Sequence, residues 1–485
     1  MKLLKKQDLF ELRDFFLLWS TQGISQLGSS MTAFALTLWL YEKTGSSLRT
    51  AALTICSYAP YVIMSIFAGA LTDRFDKKKT MLFCDLFAAG CTVAIFVLFR
   101  SGQLAVWHLY ALNALSGLMN TVQQPASEVA MTLVIPRQHY QTTSGLASLS
   151  RSLVSILNPL LATALYTLAG LNAVIALDLA SFTIAFMTLL CFIRLPKARA
   201  QTRIGVLTLA KEGLSFLKRT PMVLTLILFL SGVNLIASAF DAVLPGLVIP
   251  NPRGGSAMLG FVTSSAGLAM VVGSLLVSVL PKPRDRVKVV YLTMLFSLST
   301  ENFVVALSRN PILWCAAQGL GWVVVPIMSA NLDVILRSTI PVELQGRVYA
   351  CRNTLQFFTI PIGLFWGGFM VDSVCEPYMA AHGDSPVLRA LFGSGKGSGA
   401  AMMMFPSGSG WVPVLSHGRA EAEDLPFLGK LIFKGADWIE IRKRDPFEGR
   451  KNLPFALRHR RRRTGRAGKL QSGPRGNGFS ALLPG

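Results

Sequence analysis

The sequence predicts an all-α membrane protein of two pseudo-symmetric six-helix bundles, the last helix truncated, and three observations support this. Of its 485 residues 52% are hydrophobic and 15% charged, with a mean hydropathy of +0.49, whereas soluble domains carry about a quarter charged residues. Apolar runs long enough to cross roughly 30 Å of hydrocarbon as helices recur along most of the chain. A short block also repeats: Ile135-Pro136-Arg137-Gln138 before Gly145 is matched by Ile340-Pro341-Val342-Glu343 before Gly346, about 205 residues later, the length of one six-helix unit.

In chain order, spans fall near 15–41, 50–71, 80–99, 105–134, 145–169 and 172–193, giving the first bundle (1–193). A polar, basic connector (194–220) follows. Spans near 221–248, 257–280, 287–307, 311–335 and 354–374 make five crossings of a second bundle (221–405). A sixth begins at Gly399-Ala400-Ala401-Met402-Met403-Met404-Phe405 and stops at Pro406; fewer than about 10 apolar residues cannot span. The remainder (406–485) is rich in Gly, Pro and charge, including Arg460-Arg461-Arg462-Arg463, without the periodicity of a folded domain. So abrupt a loss of the apolar run is expected of a frameshift or recombination that replaced the final helix, with an inactive truncated product as one alternative; a basic tail on anionic lipid is the other expectation.

Lys and Arg accumulate on the cytoplasmic side during insertion. With the N-terminus inside, Lys5, Lys6, Arg13, Arg74, Lys77, Lys78, Lys79, Arg137, Arg284, Arg286 and the basic connector all fall inside, and few cations fall outside. The polar, basic start of the chain carries no Sec-type leader, so the first helix serves as the insertion signal. A multi-pass protein of the plasma or inner membrane, N-terminus cytoplasmic and against an anionic inner leaflet, is expected. The seven cysteines are scattered through apolar runs without a C-x-x-C pair and read as small core residues rather than metal ligands. The net charge of +22 comes without a nucleic-acid recognition module, and no cofactor motif is present. A G-K-[ST] loop, H-E-x-x-H and a nucleophile elbow are missing, so no catalytic residues are assigned; Gly393-Ser394-Gly395-Lys396 lacks the strand a phosphate loop needs.

Between the second and third spans lies Gly69-Ala70-Leu71-Thr72-Asp73-Arg74-Phe75-Asp76-Lys77-Lys78-Lys79. Gly69 lets helix ends approach, Asp73 can face a helix N-terminus or a cation, and the lysines hold the loop at anionic lipid. This hairpin resembles the G-x-x-x-D-R-x-G-R-R/K signature of the major facilitator superfamily, with Asp76 in place of glycine. Together with Ile340-Pro341-Val342-Glu343-Leu344-Gln345-Gly346-Arg347-Val348 it is similar to the drug and siderophore exporter branch, macrolide-efflux and enterobactin-exporter types included. The resemblance implies a conformational latch of Gly69, Asp73, Arg74, Asp76, Lys77 and Lys78 against the start of the eleventh helix near Gly346 and Arg347. It implies a monomeric secondary exporter, not an enzyme, that moves an amphipathic small molecule by proton antiport; a nutrient importer of the same fold, or a non-transporting receptor or scaffold, is the alternative. The fourth-helix R-x-x-Q-G pattern stands here as Asn113-Ala114-Leu115-Ser116-Gly117, without its cation. The fifth-helix G-P-x-x-G-G pattern stands as Asn158-Pro159-Leu160-Leu161-Ala162-Thr163, in which Pro159 allows a bend.

Polar residues inside the spans mark the path. Gln22, Gln26 and Ser29 lie on one face of the first helix, as cavity lining or as interhelical hydrogen bonds. Glu128, Asp178, Asp241 and Asp333 are acids inside apolar runs, expensive in lipid and functional by default. Glu128 and Asp333 precede the two Ile-Pro pairs by the same spacing, which puts them at equivalent depth. Proton coupling needs a carboxyl group that loads on one side and releases on the other; Glu128 is the first candidate, with a salt bridge to Arg137, Arg151 or Arg347 as the competing role.

Overall fold

The computed structural model describes residues 12–409 except 75, 137–138, 194, 196–205, 282 and 383–384, and gives the backbone alone for 65–74, 140–142, 144–145, 147–149, 151, 206–210, 278, 342–343, 346, 350 and 406–409. All belong to the first of two compact units, Met1–Gly435; the second, Ala436–Gly485, lies outside the described residues.

The first half comprises α1 (Arg13–Thr44), α2 (Ser47–Arg74), α3 (Lys77–Arg100), α4 (Val106–Val134) and α5 (Tyr140–Cys191). The amphipathic α6 (Val206–Arg219) follows, then α7 (Pro221–Val248), α8 (Ser256–Val279), α9 (Arg286–Leu307), α10 (Pro311–Val323), α11 (Val325–Thr339), α12 (Val342–Phe357), α13 (Thr359–Met370), a π turn at Val371–Cys375, α14 (Glu376–Ala381), α15 (Pro386–Phe392) and α16 (Ser398–Ser409). No strand occurs among the described residues. Among the described residues seven helical stretches are long and apolar enough to cross a membrane: Lys77–Arg100, Ser152–Cys191, Pro221–Val248, Ser256–Val277, Arg286–Leu307, Pro311–Thr339 and Arg347–Ala381. At 1.5 Å per residue, α1, α2 and α4 are each ~42–48 Å long, also enough to cross.

Successive crossings run antiparallel, so the chain has two ends: a hairpin end, where α2 gives way to α3, and a far end, carrying Gly45 and Gly170. The long α5 is two crossings joined at Gly170, whose φ of 75° and ψ of 178° only glycine adopts readily. The helix therefore breaks there and runs on through Pro159, whose ring is accommodated in continuous helix.

Several boundaries differ from those expected of the sequence. The helical hydrogen-bond ladder is interrupted at Val324, between α10 and α11, in the tenth crossing and at Phe358, between α12 and α13, in the eleventh, while both residues keep right-handed helical backbone. Pro326 and Pro361 follow these interruptions closely, each lacking the N–H and crowding the carbonyl of the preceding turn. The eleventh crossing also starts at Val342 rather than 354, because its polar first turns are helical outside the apolar stretch. The connector carries α6, whose Leu217 is fully buried. The last helix runs past Phe405 through Pro406 to Ser409; its 12 residues make ~18 Å, short of a crossing.

Each half has a core at each end. In the first, Leu18, Met81, Ala126 and Leu189 pack at the hairpin end, and Met31, Leu36, Leu109 and Ile175 at the far end. In the second, Ile227, Val290 and Leu336 pack at the hairpin end. At its far end Leu244, Val262, Trp314, Ala400 and Met404 gather around Leu38 of α1, so that core is shared between halves and the short α16 is anchored in it. Small residues let backbones approach where lipid offers no hydrophobic drive: a Cβ on Gly267 of α8 would lie 2.9 Å from Ser155 O and Ile156 N of α5, and one on Gly368 of α13 would lie 2.6 Å from Leu48 Cα of α2.

Candidate functional site

The hairpin is built by local capping. Asp76 is the N-cap of α3, accepting from Lys79 N at 3.1 Å, and Asp285 caps α9 in the same way through Lys288 N at 3.1 Å. The departure from glycine at Asp76 thus has a structural use, repeated in the second half. Lys78 Nζ donates to Leu190 O at 3.0 Å and Ile193 O at 2.7 Å, covering the orphan carbonyls at the end of α5 with a cation. Lys77 is buried. Arg347 pairs with Glu212 of α6, which fastens the connector helix to the start of α12. The backbone is helical at Gly69, Asp73, Arg74 and Gly346, while their side chains lie outside the described residues, as do those of Arg137 and Arg151.

The polar stripe of α1 divides between two partners. Ser29 Oγ donates to Asp178 Oδ1 at 2.9 Å, and Asp178, in the second leg of α5, is buried. Gln22 is half-buried and within electrostatic reach of Asp85 of α3, which accepts from Gln123 Nε2 of α4. Gln26 is exposed. Interhelical hydrogen bonding therefore engages Ser29, at one end of the stripe, and leaves Gln26, in its middle, open.

Asp241 is the acid whose surroundings say most. Its neighbours Phe240 and Ala242 are 3% and 4% exposed and most of α7 beyond them is buried, yet Asp241 itself is exposed. A carboxyl group on a helix packed all round meets water only through an internal path. Tyr58 of α2, 38% exposed, lies within electrostatic reach of Asp241, so polar groups of both halves come near one another there. Glu301 of α9 is likewise within reach of Asp241, is buried, and accepts from Trp322 Nε1 at 3.1 Å. Nearer the hairpin end, Glu128 and Asp333 are both exposed, six residues before the ends of α4 and α11. Tyr61 lies within reach of Glu128 and Arg352 within reach of Asp333, and Arg352 Nε donates to Gln356 Oε1 at 3.0 Å.

At the far end the halves are tied together. Tyr41 OH donates to Gly246 O at 3.5 Å, Glu42 accepts from Ser256 Oγ and from Tyr166 OH, and Asp372 accepts from the first turn of α2. Glu42 also borders a far-end cavity of about 600 Å³ lined by Trp39, Phe99, Tyr166 and Gly255.

Sequence reasoning missed Asp85, Glu301 and Asp372. A signal existed for two of them: Asp85 is a lone acid in the apolar run 81–98, and Glu301 belongs to a polar stretch, Ser299-Thr300-Glu301-Asn302, inside the ninth crossing. Among the described residues no group of three or more His, Cys, Asp or Glu could hold a metal ion.

Comparison with known proteins places this architecture. Macrolide efflux protein A of Streptococcus pyogenes is 24% identical over 370 residues, 74% of this chain and 90% of the relative. Multidrug efflux pump Tap of Mycolicibacterium fortuitum is 23% identical over 362 residues, 71% of this chain and 86% of the relative. Among solved structures, a bacterial homolog of the human lysosomal transporter Spinster superposes with a TM-score of 0.63 at 10% identity, covering 87% of this chain and 96% of that one. The nucleoside transporter NupG gives 0.62 at 10%, covering 84% and 100%. Residues 18–364 match the family described as Major Facilitator Superfamily; with its all-helical fold and its apolar crossings, the chain belongs to that superfamily and is a multi-pass membrane transporter of small molecules.

Proposed function

We propose that this transporter exports an amphipathic small molecule, drug-like or siderophore-like, from the cytoplasm by alternating access with proton antiport. The observation that carries the reading is Asp241: an exposed acid on a largely buried helix, with Tyr58 of the other half within electrostatic reach. A mostly apolar path with amides, tyrosines and a few acids suits an amphipathic solute better than a sugar or phosphate, which needs dense donors or a cationic cluster. The macrolide and multidrug efflux relatives support export as the direction.

The bundles are 1–193 and 221–405, joined by the connector 194–220. The excess of Lys and Arg at the hairpin end supports a cytoplasmic position for that end and for the N-terminus, in a plasma or inner membrane. The far-end ties then describe the conformer closed to the outside. In the opposite conformer Asp73 and Arg74 latch the hairpin end against the start of α12 near Gly346, while Lys77 and Lys78 keep the hairpin on the first half. Gln22, Gln26 and Ser29 line the path; Glu128, Asp333 and Asp241 are the groups through which protons couple.

Reconstitution in proteoliposomes with an imposed proton gradient and a panel of macrolides, siderophores and dyes tests this. Gradient-driven movement toward the far side, lost in Asp73→Asn, is expected. Movement only in the opposite direction makes the chain an importer, no movement with any solute makes it a scaffold or an inactive product of its 12-residue final helix, and intact movement in Asp73→Asn removes the latch.

A further inference from the structure

The first turn of α2 is held by a residue of the other half. Asp372, in the π turn Val371–Cys375, accepts from Ser46 Oγ at 2.5 Å, from Leu48 N at 2.9 Å and from Ser47 N at 3.1 Å. Ser46 Oγ in turn accepts from Arg49 N at 3.1 Å, so it caps α2 in the usual way while handing its own proton to the carboxylate. Two of the four amides that a helix start leaves without partners are thereby satisfied across the interface. The carboxylate also sits where the helix dipole favours an anion. Two features make the approach possible. Gly368 brings α13 against the start of α2, where a Cβ would lie 2.6 Å from Leu48 Cα. The π turn inserts an extra residue just beyond it, which rotates the side chains that follow, a device found often at functional positions.

We infer that Asp372 is the far-side clasp of the transport cycle, a positioning residue that holds the far mouth shut by capping α2 from the opposite half and must let go before the path opens outward. The inference rests on the alternating-access reading above. It gives the molecule a carboxylate-to-helix-start clasp at the end opposite the Asp73 hairpin, with the partners exchanged: here the acid is on the second half and the helix start on the first. Alternating access then becomes a competition between two caps of the same chemistry, each available in one conformer.

The test is the rate at which a membrane-impermeant maleimide, added from the far side, labels a cysteine put in place of Tyr58, in the full chain with its seven native cysteines replaced and with no transport substrate present. Asp372→Ala is expected to raise that rate about tenfold or more, the worth of losing charge-assisted bonds, and Asp372→Asn and Ser46→Ala to raise it less. Asp372→Glu is expected to return the rate toward that of the parent. A merely structural role would lower the unfolding temperature and leave the far-side labelling rate where it was. Equal rates in Asp372→Ala and parent overturn the clasp; if that variant does not fold, an unchanged rate in Ser46→Ala, which keeps both backbone donors, overturns it as well. Because no substrate is used, a raised rate supports the clasp even in a preparation that moves no solute, so its failure and that of the export reading stay distinct.

Discussion

Gly267→Ala should push the resting conformer toward an open far end. Gly267 of α8 faces α5 across the two halves, and a Cβ there would lie 2.9 Å from three backbone atoms, Ser155 C, Ser155 O and Ile156 N. Backbone cannot swing aside like a side chain, so the helices must part by a few tenths of an ångström along their contact. Overpacking of this kind costs about 1–3 kcal/mol. That cost falls only on the conformer in which α5 and α8 touch, so the ratio of far-open to far-closed molecules rises by roughly 5- to 150-fold. Far-side maleimide labelling at position 58 reads this directly, because its rate follows the open fraction. Gly90→Ala is the control: a Cβ at Gly90 meets nothing within 4 Å, and alanine in a helix is otherwise stabilising by about 0.5–1 kcal/mol. A Gly267→Ala rate equal to that of Gly90→Ala would refute the claim that close packing of α5 and α8 seals the far mouth.

Three further outcomes follow from local geometry. Asp76→Ala removes the cap on α3 and should cost about 0.5–2 kcal/mol, whereas Asp76→Gly should cost only a few tenths; thermal unfolding in detergent ranks the two, and equal losses would show that the cap is not what Asp76 supplies. Gly117→Ala sets a Cβ against Ser57 O inside the first half, so it should lower the unfolding temperature while leaving the ratio of hairpin-side to far-side labelling unchanged. Arg347→Gln breaks a pair with Glu212 whose side chains are 30% and 45% exposed; a screened surface pair is worth under about 1 kcal/mol, and a larger fall in stability would give the connector helix a weightier role than the structure assigns it.

The crossings were legible because lipid imposes length and apolarity on each of them, and even the break between the fifth and sixth fell where Gly170 bends the backbone. What the sequence could not display was pairing. Asp372 reads as an acid at the end of an apolar span and gains its role only when α2 arrives beside it. Glu301 and Asp85 are single charges that long apolar runs tolerate, so a search for spans passes over them. Asp76 looks like a flaw in a signature until α3 is seen to start on it. The prolines at 326 and 361 could have announced the interrupted hydrogen-bond ladders of the tenth and eleventh crossings, since each removes a helical bond, but tertiary packing decides how a membrane helix responds at such a place. Polar helices such as α6 and the start of α12 escaped because neither is apolar enough to register as a span.

The central claim is that solute crosses between the halves past Asp241. Flux of a macrolide through proteoliposomes under an imposed proton gradient, compared between the parent and Asp241→Asn, tests it most directly. Loss of at least about tenfold of the flux in Asp241→Asn, with far-side labelling at position 58 unchanged, is the result expected of an acid that faces the path. Equal flux in the two proteins would contradict a path through Asp241.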